Sequence, residues 1–247
     1  MQATAATSKV VAPVPASQPA ASAPVAASAP MTSMPVIKIA IFGDDEMMGV
    51  SIDTHGTATY VSPDEAQALQ SLLRKDFNDP DITVVNESTG GRSSSLMNEL
   101  DGMDGGGAAE PQRMAQSGAS IVIQAHSIND QYGGESVDDY SAYLAQWIQD
   151  AQTAGLTPVV EEPGPVCDGD HPWLGKYVTA MEIAASQYHV PIIGQYNATL
   201  SLDNWQAHML KCITPDAALA STRAVQDEAV IAPIVREIID AKSGQSE

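Results

Sequence analysis

Apolar and polar positions follow two rhythms along this chain, and their alternation predicts a layered α/β domain. Val36-Ile37-Lys38-Ile39-Ala40-Ile41-Phe42 is a short, almost continuous apolar run that stops at Gly43, as expected of a strand buried on both faces. Runs at 82–86, 120–124, 156–160 and 190–193 repeat the pattern. Between them apolar residues recur at helical spacing. Ser62-Pro63-Asp64-Glu65 reads as a capping box with proline in the first helical position, followed by Ala66, Leu69, Leu72 and Leu73. Tyr140, Leu144, Trp147, Ile148 and Ala151 predict a helix over 137–154. Further helices are expected at 93–100, 108–117, 173–188 and 216–241, the last bent at Pro233. Apolar strands separated by helices imply a parallel sheet covered on both faces. The expected fold is therefore α/β, three-layered and doubly wound, with a five-stranded parallel sheet. In such sheets functional sites form at the carboxyl ends of the strands.

The composition divides the chain. Residues 1–30 contain eleven Ala, five Pro and a single charge, Lys9. Such a stretch cannot bury enough side-chain surface to offset its ordering entropy. Residues 1–34 read as an extended Ala/Pro/Ser-rich arm and 35–247 as the folded domain. The arm lacks a basic segment before a Leu-rich run, so it does not read as a signal peptide. Eleven basic against 31 acidic residues give a formal charge of −20, which repels a phosphate backbone and argues against nucleic acid as a partner. No apolar run approaches the ~20 residues needed to span a bilayer. Cys167 and Cys212 match no zinc or redox spacing and read as free buried thiols, or as a disulfide if the protein is exported.

Four blocks carry candidate chemistry. Gly43-Asp44-Asp45 follows the first strand, and Asn86-Glu87-Ser88-Thr89-Gly90-Gly91-Arg92-Ser93 follows the second. Ser127-Ile128-Asn129-Asp130 follows the third, and Lys211-Cys212-Ile213-Thr214-Pro215 precedes the last helix. In this order they resemble the sequence blocks of the SGNH hydrolases, the GDSL esterase/lipase family, over nearly all of 36–240. The resemblance implies a serine nucleophile at position 45, oxyanion donors at Gly91 and Asn129, and an Asp-x-x-His-Pro block whose acid and base fall at Lys211 and Thr214. Asp45, Lys211 and Thr214 therefore replace all three triad members. An ionised aspartate offers no hydroxyl and repels an oxyanion.

This pattern implies a degenerate, non-catalytic SGNH-fold subunit. It would dock through residues 1–30 on the protein subunits of a larger assembly, such as a phage virion or a bacterial surface particle, with a carbohydrate as candidate ligand. The rival expectation is an active carbohydrate esterase or lipase-like hydrolase with a rearranged site. Asp203 and His208 are its rescue candidates, or Asp45 acts as a carboxylate nucleophile lacking an evident base. Ser51 lies too far past the strand to supply the missing hydroxyl. Asp168-Gly169-Asp170-His171 and the glycine-rich 101–107 segment read as polar and flexible loops, and neither a metal nor another cofactor is expected.

Overall fold

The computed structural model describes residues 36–243; the proposed arm and its docking role lie outside them. Five strands form one sheet in the order β4-β1-β5-β6-β7, all parallel. They are β1 Lys38–Gly43, β4 Thr83–Asn86, β5 Ile121–Ala125, β6 Thr157–Glu161 and β7 Ile192–Ile193. Two small antiparallel pairs lie outside this sheet, β2 Val50–Ile52 with β3 Ala58–Tyr60, and β8 Met209–Leu210 with β9 Thr214–Pro215. The helices are α1 Glu65–Phe77, α2 Leu96–Asp101, α3 Gln112–Ser117, α4 Ile128–Tyr132, α5 Val137–Thr153, α6 Leu174–Tyr188, α7 Gln195–Leu200 and α8 Ala217–Ser243.

The continuous apolar strands have the physical cause expected of them. Alternate residues of β1 serve opposite layers: Ile39 and Ile41 pack with Leu69 and Leu73 of α1 and Ile231 and Val235 of α8. Ala40 and Phe42 pack with Leu144, Trp147 and Ile148 of α5 and Met181 of α6. With both faces covered, polar alternation has no place, and each large side chain removed from water contributes about 1.5–3 kcal/mol.

Two expectations need correction. The α1 N-cap is Asp64, not Ser62: its carboxylate accepts from Gln67 N at 2.7 Å while Gln67 Oε1 accepts from Asp64 N at 3.2 Å. Asp64 is the residue with extended backbone, and Pro63 stays outside the helix. Cys167 and Cys212 form a disulfide rather than free thiols. It ties the β6–α6 loop to the β8–β9 turn, where Cys167 N also donates to Cys212 O at 3.1 Å.

Several buried acids hold protons to unusually high pH. Burial pushes Glu46 up to about 8 against the pull of Arg223, and burial followed by Glu99 does the same for Glu110. Burial alone would lower His126, but its pairing with Glu99 at 2.9 Å carries it up to about 9. The folded state keeps these protons where the unfolded chain has released them, so stability falls as pH rises from about 4.5 through 9. Asp104 and Asp216 are instead held below their ordinary value, so stability also falls below about pH 3.8. A melting temperature higher at pH 5 than at pH 8.5 is the expected result; a flat or rising profile contradicts it.

Candidate functional site

Asp45 sits at the carboxyl edge of the sheet, just past the end of β1. β1 ends at Gly43, and the chain turns so that Asp44 points inward and Asp45 outward. Asp44 is fully buried and accepts from Ser127 N at 3.1 Å, Ile128 N at 2.8 Å and Asn129 N at 3.3 Å, which fixes the start of α4. Desolvation raises its pKa, and the backbone donors and His126 oppose that rise.

Asn129, thus positioned, donates from Nδ2 to Asp45 Oδ2 at 2.6 Å and to Gly91 O at 3.2 Å. Gly91 N lies 3.0 Å from both oxygens of Asp45. Gly91 has φ +85°, which favours glycine, and a Cβ on Gly90 would fall 2.9 Å from Asp45 Oδ1. The two donors expected at Gly91 and Asn129 are therefore brought together. What fills them is the carboxylate of Asp45 itself.

The glycine-rich segment is anchored rather than loose at its centre. Asp104 receives Arg113 Nη1 at 2.6 Å and Thr89 Oγ1 at 3.1 Å, bracing the loop that presents Gly91.

Asp45 opens into a cleft of about 540 Å³. Thr214 and Lys211 line it, so the cleft brings together Asp45 and the two positions that the sequence blocks pair with it. Thr214 carries no basic group, and its Oγ1 approaches Val50 O at 3.5 Å; Lys211 sits in the left-handed region at φ 52° beside Cys212 at φ 65°. The rescue candidates lie elsewhere. His208 pairs with Asp216 Oδ2 at 2.9 Å near the start of α8, Asp203 is exposed, and neither lines the cleft.

The residue missed by sequence reasoning is His171. It is 7% exposed and lines the same cleft as Asp45. Its Nδ1 meets both oxygens of Asp168 at 2.8 and 2.9 Å, while Nε2 is buried with no hydrogen-bond partner. The ring of Tyr132 packs on it with centroids 5.9 Å apart, and Arg92 lies over the other aromatic system at 5.6 Å. A signal was present: Asp168-Gly169-Asp170-His171-Pro172 has the Asp-x-x-His-Pro spacing sought at 211–215, but one loop earlier. The Cys167–Cys212 bond joins those two loops directly. Ser51 also lines the cleft, from β2.

Among the described residues, Glu65, Glu161 and Asp227 could hold a metal, with one oxygen from each within 4.8 Å of the others. The cluster already has a cation. Arg223 contacts Glu65 Oε2 at 2.9 Å and Glu161 Oε1 at 3.3 Å, and it also pairs with Glu46. Gln195 Nε2 donates to Asp227 Oδ1 at 2.6 Å. Burial drives Glu161 and Asp227 well above the carboxylate range, so protons supply the remaining neutralisation.

No family model and no curated protein sequence matches the chain. Solved structures do. A lipase/acylhydrolase from Enterococcus faecalis superposes with a TM-score of 0.58 at 16% identity, over 83% of this chain and 96% of its own. Axe2, an acetylxylan esterase from Geobacillus stearothermophilus, gives 0.61 at 14%, over 78% and 93%. The psychrotrophic esterase EstA from Pseudoalteromonas sp. gives 0.58 at 14%, over 81% and 98%. The described domain has the SGNH-hydrolase fold.

None of the helices among the described residues is long and apolar enough to cross a membrane.

Proposed function

We propose that the chain is a hydrolase of small electrophilic substrates with a rearranged site, Asp45 standing where the family has serine and Asp168–His171 activating water. The observation that carries this reading is His171: its Nδ1 is locked by Asp168, its Nε2 is unclaimed, and it lines the cleft that holds Asp45. A base oriented by a third group is what two-step hydrolysis requires. The esterases and lipases that share the fold support the same class.

The test is product analysis on a panel of acetylated sugars, alkyl and aryl esters, epoxides and alkyl halides. Turnover of at least one substrate is expected, falling about 10²–10⁴-fold in His171→Gln and unchanged in His208→Gln. Turnover that survives His171→Gln refutes the assignment.

One observation favours a second reading, a non-catalytic binding subunit: Asp45 saturates the donors a substrate oxyanion would need. That reading expects no turnover across the panel. It also expects deletion of residues 1–30 to leave the melting temperature unchanged while abolishing co-purification with the native assembly. A deletion that unfolds the domain, or that assembles normally, counts against it.

A further inference from the structure

Resting on the hydrolase reading, we propose that Asp45 is a covalent nucleophile toward saturated carbon, so the bond broken lies on the alkyl side of the leaving group. Carboxylate attack on an acyl carbon is unproductive. The tetrahedral adduct expels the weaker base, the carboxylate, and returns to substrate. At a saturated carbon the same attack displaces a halide or opens a strained cyclic ether and leaves a stable alkyl ester on Asp45.

The geometry is arranged for the second half of that cycle. Asp45 Oδ2 holds Asn129 Nδ2 at 2.6 Å and Gly91 N at 3.0 Å, whereas Oδ1 shares only Gly91 N. Oδ1 is thus the freer nucleophile. Oδ2 is already seated on donors that would hold the charge appearing there when water attacks the ester. For a serine hydrolase a carboxylate in this position blocks the site; for a carboxylate nucleophile it is the working arrangement. Tyr132 and Arg92 line the same cleft, with Arg92 Nη2 3.4 Å from the Tyr132 hydroxyl, and offer a proton and a positive charge to a departing oxygen or halide.

The steps balance. An Oδ1 lone pair forms the bond to carbon, and the leaving group departs with the pair from the broken bond. A halide leaves as the anion; an epoxide oxygen takes a proton from Tyr132, which solvent restores. A water admitted to the buried Nε2 of His171 then gives up a proton there, and the hydroxide adds to Cγ of Asp45. Collapse of the oxyanion on Oδ2 releases the substrate alkoxide, which takes the proton from His171. Asp45 is left as the carboxylic acid with one oxygen from water; it loses its proton to solvent to regain the carboxylate, and the product carries an original Asp45 oxygen.

Isotope labelling decides the matter. In ¹⁸O-water, the first turnover of full-length wild-type protein with styrene oxide should leave the product unlabelled and add one ¹⁸O to the peptide containing Asp45. His171→Gln, checked for folding by circular dichroism, should accumulate one covalent equivalent of styrene oxide on Asp45; Asp45→Asn should accumulate none. Benzyl bromide in parallel separates the sources: adduct from the bromide alone assigns halides, and adduct from both assigns the shared electrophilic carbon. Label appearing in the first-turnover product, with turnover still dependent on His171, overturns the covalent route and leaves the hydrolase reading standing. No adduct and no turnover with either probe overturns the proposal outright.

Discussion

Replacing Asp45 by serine should create an acyl-transfer enzyme. The change empties the donors at Gly91 N and Asn129 Nδ2 that the carboxylate now occupies. It also supplies a hydroxyl in the cleft that His171 lines. Wild type should not hydrolyse p-nitrophenyl acetate above a buffer control. Its acyl carbon offers no productive path to a carboxylate, and its aryl carbon resists backside displacement. Asp45→Ser should raise that rate by about 10²-fold or more, since one oxyanion donor alone is worth about 10²–10³ and general-base assistance about 10²–10⁴. Asp45→Ser/His171→Gln should lose the gain. Lys211→Asp with Thr214→His would then be unnecessary, because the base already enters from the neighbouring loop. If only the triple replacement Asp45→Ser, Lys211→Asp, Thr214→His is active, His171 is not the base of this cleft.

The second large effect is structural. Arg223 is 2% exposed and faces Glu46, Glu65 and Glu161, with Asp227 beside them. Arg223→Met keeps much of the volume and removes the guanidinium that faces these buried carboxyls. Uncompensated buried charge of this kind costs about 3–5 kcal/mol. The variant should relieve part of that cost by taking up further protons. Its loss of stability in urea should accordingly be larger at pH 8 than at pH 5. A variant within 1 kcal/mol of wild type at pH 8, estimated on the scale of ordinary surface substitutions, would mean that protons or another cation neutralise the cluster.

The sheet was legible in the sequence because its strands are buried twice over. Ile39, Ala40, Ile41 and Phe42 leave no polar position to confuse the pattern, and the same holds for Ile121, Val122 and Ile123. The β2–β3 pair was not legible: its strands have three residues each, and Ile52 and Tyr60 are exposed, so burial imposes no rhythm on them. Asp45, Gly91 and Asn129 could be placed because each follows a strand of the sheet, and strand order fixes their convergence. His171 also follows a strand of the sheet, but it lies ten residues past the end of β6, too far for strand order alone to aim it. Its loop becomes part of the cleft through the cross-link to Cys212 and through Tyr132 packing on its ring, and both are contacts distant in sequence.

That cross-link makes the completeness of the cleft conditional on the surroundings. It closes a 45-residue interval, and such a closure restricts the unfolded chain by about 4 kcal/mol. The tie joins the segment carrying Asp168 and His171 to a turn in which Lys211 and Cys212 both have left-handed backbone, so reduction would release the histidine-bearing segment and the turn together. Thiol-rich compartments keep such bonds open, whereas extracytoplasmic and secreted settings let them persist. The Gly91 and Asn129 contacts of Asp45 lie outside the two tied segments, so reduction should loosen the wall of the cleft that carries His171, Lys211 and Thr214 and leave the seat of Asp45 in place.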